Sequence, residues 1–165
     1  MNEFSIIEKY FKKLTTNNPG ALNLSDDVFF DKKKQIVISV DTYNEGVHFL
    51  DNKSPDLIIK KVLRSSISDL ISKGVKPKYI LISGSGNENI FNKSHLGKLS
   101  KSIMQELKKF NVKLSGGDTT FSKKTSFTIT SVGYSQNIVY RNNAKLNDDI
   151  YVTGYLGDSY VGLQI

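Results

Sequence analysis

Apolar residues at Phe4, Ile7, Tyr10, Phe11 and Leu14 recur at helical spacing and predict a short amphipathic helix over residues 3–14. Residues 15–25, with Asn17-Asn18-Pro19-Gly20, read as loop. Asp26-Asp27 then open a strand through Val28, Phe29 and Phe30, and the polar turn Asp31 to Lys34 leads into a β-branched run, residues 35–40. These two strands predict a hairpin whose ends carry Asp27 and Asp41. Residues 55–73 repeat apolar positions every three or four, with Ser54 as N-cap, Pro55 at the first helical position and Gly74 as C-cap. Ser65, Ser66 and Asp69 interrupt the apolar face of that helix, where polar groups carry the most information. A strand over 78–83, a helix over 94–111 and a short strand over 112–114 follow, the last running into Ser115-Gly116-Gly117-Asp118-Thr119-Thr120. Alternation predicts a strand over 125–134; the short polar stretch 135–137 reads as a turn that returns the chain as a strand over 138–141, and a last strand follows over 149–153.

At 165 residues and 38% hydrophobic, the chain is long enough for one well-cored domain. The absence of cysteine excludes a disulfide framework and a thiolate metal site. Residues 1–9 mix Phe4, Ile6 and Ile7 with Glu3, Glu8 and Lys9, unlike a signal peptide, and no apolar run reaches the ~20 residues of a membrane span. A soluble, cytoplasmic protein is expected. The net charge of +7 invites a nucleic-acid reading, but only Arg64 and Arg141 among the 23 basic residues are arginine. The lysines are scattered in small groups, as on a solvated surface, so no nucleic-acid partner is expected.

The acids are more telling. Asp26, Asp27, Asp41, Asp69 and Asp118 sit at strand ends or on a helix face beside Gly, Ser or Thr. Oxygen donors of this kind suit Mg²⁺, although each acid could equally serve as a turn or cap residue. Clustered carboxylates without a cation repel and bind protons more tightly. Gly116-Gly117-Asp118 could let backbone N–H groups approach a phosphate, yet neither a P-loop nor a dinucleotide fingerprint occurs. Arg141 suits a phosphate contact or the surface. His48, in the loop that follows Asp41, reads as a packed or solvated residue.

Taken together, Ser25-Asp26-Asp27, Ser39-Val40-Asp41, Glu45-Gly46-Val47-His48-Phe49-Leu50, Ile67-Ser68-Asp69-Leu70 with Gly74, Gly116-Gly117-Asp118-Thr119-Thr120, Arg141, and Tyr151-Val152-Thr153-Gly154 with Gly157-Asp158-Ser159 resemble thiamine-monophosphate kinase, in the N-terminal domain of this PurM-like (AIR synthetase-like) family. The resemblance implies an α/β fold, a mixed β-sheet packed with helices, and ATP-dependent phosphorylation of thiamine monophosphate to thiamine diphosphate. It implies Asp27, Ser39, Asp41, Asp69 and Asp118 at Mg²⁺; Asp69, Gly117, Asp118 and Arg141 at ATP; His48 at the thiamine substrate; and pairing as a homodimer. Since the acceptor phosphate is largely dianionic at neutral pH, no residue is expected to serve as acid or base.

The chain departs from the family at Ser25, where Gly is usual, at Val40, where Thr is usual, and at Ser66-Ile67-Ser68-Asp69, where Asn-Leu-Ser-Asp is usual. None of these removes a carboxylate. The family continues into a second domain, so residues 1–165 are expected to be a truncated chain whose residues 157–165 begin the next element. Another PurM-like synthetase, such as selenophosphate synthetase, and a non-catalytic nucleotide-binding or dimerisation fragment stay open beside the kinase reading.

Overall fold

The computed structural model describes residues 2–50 and 54–158. Its centre is a five-stranded sheet in the order β1-β2-β5-β3-β4: β1 (Phe29–Asp31), β2 (Ile36–Asn44), β3 (Pro77–Gly86), β4 (Lys113–Phe121) and β5 (Ser126–Tyr134). The first three neighbouring pairs are antiparallel and β3 pairs with β4 in parallel, so the sheet is mixed, as expected. Helices α2 (Pro55–Ser72) and α3 (Lys93–Phe110) cover one face. The buried alternation along β5 gives that face Phe127 and Ile129, which meet Ile59, Val62, Leu63 and Ile67 of α2 and Leu99 of α3. A second cluster joins Val28, Phe30 and Val37 of the hairpin to Leu70, Val75 and Ile138.

The end of α2 is built as its sequence predicts. Gly74 takes a positive φ of 72°, its N–H donates to the Ile71 carbonyl and the Val75 N–H reaches back to the Leu70 carbonyl. Leu70 and Val75 are both buried, which completes a Schellman closure. Ser54 stands at the N-cap with Pro55 behind it, but its hydroxyl makes no capping bond. The two helices are clamped by Arg64, whose Nε and Nη2 each donate to Glu106 at 2.7 Å.

Several boundaries differ from the periodicity reading. β2 runs on to Asn44, so Asp41 lies within the strand. The strand expected over 112–114 runs on through the Ser115-to-Thr120 stretch, which forms the body of β4. Gly117 makes this possible, because its φ is 158° and a Cβ there would lie 1.8 Å from the Ile82 carbonyl oxygen. The first helix is a single α-turn, α1 (Glu3–Ile6), followed by a π-turn (Ile7–Phe11) and a 3₁₀ turn (Lys12–Thr15), none burying a side chain. Residues 138–141 and 149–153 form no strand: Ile138 packs into the second cluster, whereas Ile150 and Tyr151 stay exposed with no strand beside them among the described residues. The expected start of a further element at 157–165 lies, from residue 159 on, outside the described residues.

Candidate active site

Asp27, Asp41 and Asp69 line one cleft of about 750 Å³, together with Asp26, Val40 and Arg141. Three elements bring them there. β1 starts at Phe29, opposite Ile38, so β2 has an uncovered edge around Val40 and Asp41, and Asp27 precedes β1 at that edge. Asp69 is carried by the last turns of α2. The N-terminal helical segment supplies the outer wall through Phe4, Ile7 and Glu8.

The two neighbouring aspartates have different surroundings. Asp26 is buried and saturated: Lys73 Nζ lies 2.6 Å from Oδ1, the Asp27 N–H donates to Oδ1 at 2.8 Å and the Arg141 N–H to Oδ2 at 3.0 Å. Burial opposes its charge, but these partners outweigh burial and hold the carboxyl below its ordinary value. Asp27 is 44% exposed at its side chain and faces the cleft, with Arg141 Nη1 at 3.2 Å and Lys73 Nζ at 3.6 Å. Asp41 accepts a hydrogen bond from the Tyr43 hydroxyl at 3.1 Å, and the buried Ser66 hydroxyl in turn donates to Tyr43. Ser66 thus explains one polar interruption of the apolar face of α2.

Asp69 carries the clearest electrostatic signature. Burial first, then the charges of Asp41 and Asp27 and a hydrogen bond with Asp41, push its carboxyl up to about 6. Carboxylates that resist one another's ionisation are what a cation relieves. The buried hydroxyl of Ser39, two residues before Asp41 on β2, has no hydrogen-bond partner among the described residues; it faces Ser131, in the same condition, across the β2–β5 pair. Among the described residues, however, no group of three or more His, Cys, Asp or Glu side chains stands in position to hold a metal ion. The all-oxygen donor set therefore fits Mg²⁺ gripped by one or two carboxylates and completed by phosphates and water, not a cage made by protein alone.

The remaining sequence candidates lie elsewhere. Asp118 is on β4, in the cross-strand row Thr42, Thr128, Ser83, Asp118, and three inter-strand steps of ~4.8 Å put it roughly 14 Å from Thr42. It borders a largely apolar groove beneath α3 and does not reach the acid cleft within this chain. Gly117 neighbours it, and the approach of Ile82 already accounts for the glycine. His48 packs edge-on against Tyr43 and accepts a hydrogen bond at Nδ1 from the Asn44 N–H at 2.9 Å, so Nε2 is the nitrogen it can offer a ligand. Lys73 was not a sequence candidate; a lysine four residues after Asp69, at a helix end next to Gly74, was the available signal.

A sheet of this order with helices on one face and an acid cleft at its β2 edge defines a class, and the chain belongs to it: the AIR synthase related protein, N-terminal domain family matches residues 20–135. Within that class the chain is 38% identical to thiamine-monophosphate kinase of Buchnera aphidicola subsp. Acyrthosiphon pisum, over 98% of this chain and 51% of the relative. Its fold superposes on thiamine monophosphate kinase from Aquifex aeolicus with a TM-score of 0.83, at 28% identity over 99% of this chain and 52% of that one. The structure described as AaThiL complexed with AMPPCP and TMP gives a TM-score of 0.85, at 30% identity over 98% of this chain and 51% of that one. The chain spans about half the length of the curated relatives it matches.

Proposed function

We propose that this chain forms the ATP- and Mg²⁺-binding half of an enzyme that phosphorylates thiamine monophosphate to thiamine diphosphate in the cytoplasm. The observation that carries the reading is the meeting of Asp27, Asp41, Asp69 and Arg141 in one cleft, in a chain similar to thiamine-monophosphate kinases over nearly its whole length. The remaining half of such an enzyme would be a second domain, matching the length of the relatives. A relative of the same fold takes AMPPCP and TMP, which supports a nucleotide and the thiamine phosphate as ligands here.

In this reading Asp27, Asp41 and Asp69 line the Mg²⁺ site, an ion meeting one or two of them at a time, with Ser39 close by. Mg²⁺, when bound, would supply the positive charge that lets two anionic phosphates approach. Arg141 turns its guanidinium from Asp27 to the ATP phosphates, an exchange favoured by the weakness of an ion pair whose partners are both about half exposed. His48 meets the thiamine moiety through Nε2. Because the acceptor phosphate, with a second pKa of about 6, is already largely ionised at neutral pH, the side chains have to position and neutralise, not abstract a proton. Asp118, with Gly117, takes its place at the same nucleotide from a second copy of the chain, in a homodimer.

The test is a coupled kinase assay of the chain extended to its natural C-terminus, with thiamine monophosphate as acceptor. ATP- and Mg²⁺-dependent formation of thiamine diphosphate is expected. A folded, complete protein that binds Mg·ATP and forms none would refute the substrate assignment; one that binds no Mg·ATP would refute the site.

A further inference from the structure

The proposed reaction uses no part of Lys73, yet Lys73 is the buried centre of the ionic lattice behind the cleft. Its side chain is 5% exposed, and its Nζ lies 2.6 Å from Asp26 and 3.6 Å from Asp27. Its backbone is fixed at both ends: the N–H donates to the Leu70 carbonyl, and the carbonyl accepts from the Val139 N–H. A cation at this place also complements the C-terminal end of the α2 dipole. Through Asp26 the ammonium reaches further, since the same carboxylate receives the backbone N–H groups of Asp27 and Arg141. One side chain thus ties the end of α2 to the two separate stretches that deliver Asp27 and Arg141 to the cleft.

We propose that Lys73 is a positioning residue for the cation and phosphate site: it holds Asp27 and Arg141 at the distance at which they share a ligand. This rests on the reading of the cleft as a Mg²⁺–nucleotide site. The proposal makes a prediction opposite in sign to simple electrostatics. Removing a positive charge 3.6 Å from a cation ligand should by charge alone tighten cation binding. If Lys73 positions Asp27, removing it weakens binding instead.

Lys73→Met strands the buried carboxylate of Asp26 and can unfold the chain. The deciding variant is therefore Lys73→Met with Asp26→Asn, which deletes both buried charges; because asparagine keeps only one of the two oxygens that accept the Asp27 and Arg141 N–H groups, it is read against Asp26→Asn with Lys73 in place. Mn²⁺ binding with AMPPCP, followed by electron paramagnetic resonance and calorimetry, is measured beside thermal unfolding in the wild-type chain and in the variants Lys73→Met, Asp26→Asn and the double. The expected result is that the double variant unfolds within a few degrees of the wild type while its affinity for Mn²⁺ with AMPPCP stays at least tenfold weaker than that of Asp26→Asn. Affinity that recovers together with stability would show Lys73 to be only the counter-charge of Asp26 and would overturn the proposal, as would unchanged or tighter binding in Lys73→Met. A wild-type chain that takes up no Mn²⁺ with AMPPCP would sink the reading of the cleft itself, and the proposal with it.

Discussion

Asp69 offers the sharpest test of the cleft, because its charge is unfavourable in the cation-free fold. The rise of its carboxyl from 3.8 to about 6 is caused by burial, then by Asp41 and Asp27. At about 1.4 kcal/mol per pKa unit this amounts to about 3 kcal/mol, which partial exposure reduces to roughly 2 kcal/mol. The sign follows from linkage. Below pH 3.8 the group is protonated in both states and costs nothing. Between 3.8 and 6 the unfolded chain ionises first, so stability falls as pH rises, and above about 6 the full penalty is present. Asp69→Asn removes the penalty. At pH 8 without divalent cation the variant is expected to be more stable than the wild type by about 2 kcal/mol, or roughly 4–8 °C in Tm for a chain of this size, and at pH 4 the gain disappears. Added Mg²⁺ should stabilise the wild type and leave the variant almost unmoved. Urea titrations at pH 4, 6 and 8, with and without Mg²⁺, read all of this. A variant equally destabilised at every pH would refute the idea that Asp69 is held against its neighbours' charge.

Other residues separate architecture from chemistry. Gly117→Ala drives a Cβ to 1.8 Å from the Ile82 carbonyl and should break the β3–β4 pairing, costing more than about 3 kcal/mol in urea unfolding; unaltered stability would mean the strands part easily. Glu106→Ala removes the carboxylate that Arg64 grips and should cost about 2–3 kcal/mol, whereas the Arg64→Ala, Glu106→Ala pair should cost less than the sum of the singles, as a double-mutant cycle by thermal unfolding would show. In the extended protein, Asp41→Asn and Asp118→Asn should each abolish thiamine diphosphate formation, yet mixed dimers of the two should regain about half of the wild-type rate, from the one intact site in two, if Asp118 serves the partner's cleft. Absence of recovery in proven mixed dimers would count against the shared site.

What could be read in the sequence follows the range of the forces involved. The α2 helix, its Gly74 closure and the β1–β2 hairpin rest on local periodicity and capping, and they stand where the pattern puts them. Asp27, Asp41 and Asp69 fall into one cleft because all three are anchored to those well-marked elements. β4 is different. Two glycines and polar residues have no strand pattern, and only the pairing with β3, which leaves no space for a Cβ at Gly117, extends them. The same non-local origin hid Lys73, whose burial depends on Asp26, 47 positions before it. Conversely, 149–153 has the β-branched and aromatic residues of a strand but finds no neighbour among the described residues, and a strand pattern without a partner remains an exposed segment.

The division between structural and functional acids then comes down to whether the fold already supplies a counter-charge. Glu106 and Asp26 are nearly inaccessible, each is answered by a cation at 2.7 or 2.6 Å, and both are held below their ordinary values. Asp27 has its cations at 3.2 and 3.6 Å, further than a tight pair, and Asp69 has other carboxylates for neighbours. With all ionised, Asp26, Asp27, Asp41 and Asp69 stand against Lys73 and Arg141, which leaves two negative charges unanswered. On the proposed reading of the cleft, this excess is what a cation arriving from outside answers. One divalent cation offsets it, and once Arg141 turns to a phosphate, Asp27 adds a third charge that a further cation or the phosphate-bound metal must meet. Binding of metal and of nucleotide should therefore be mutually reinforcing in this cleft, each raising the affinity for the other by the same factor.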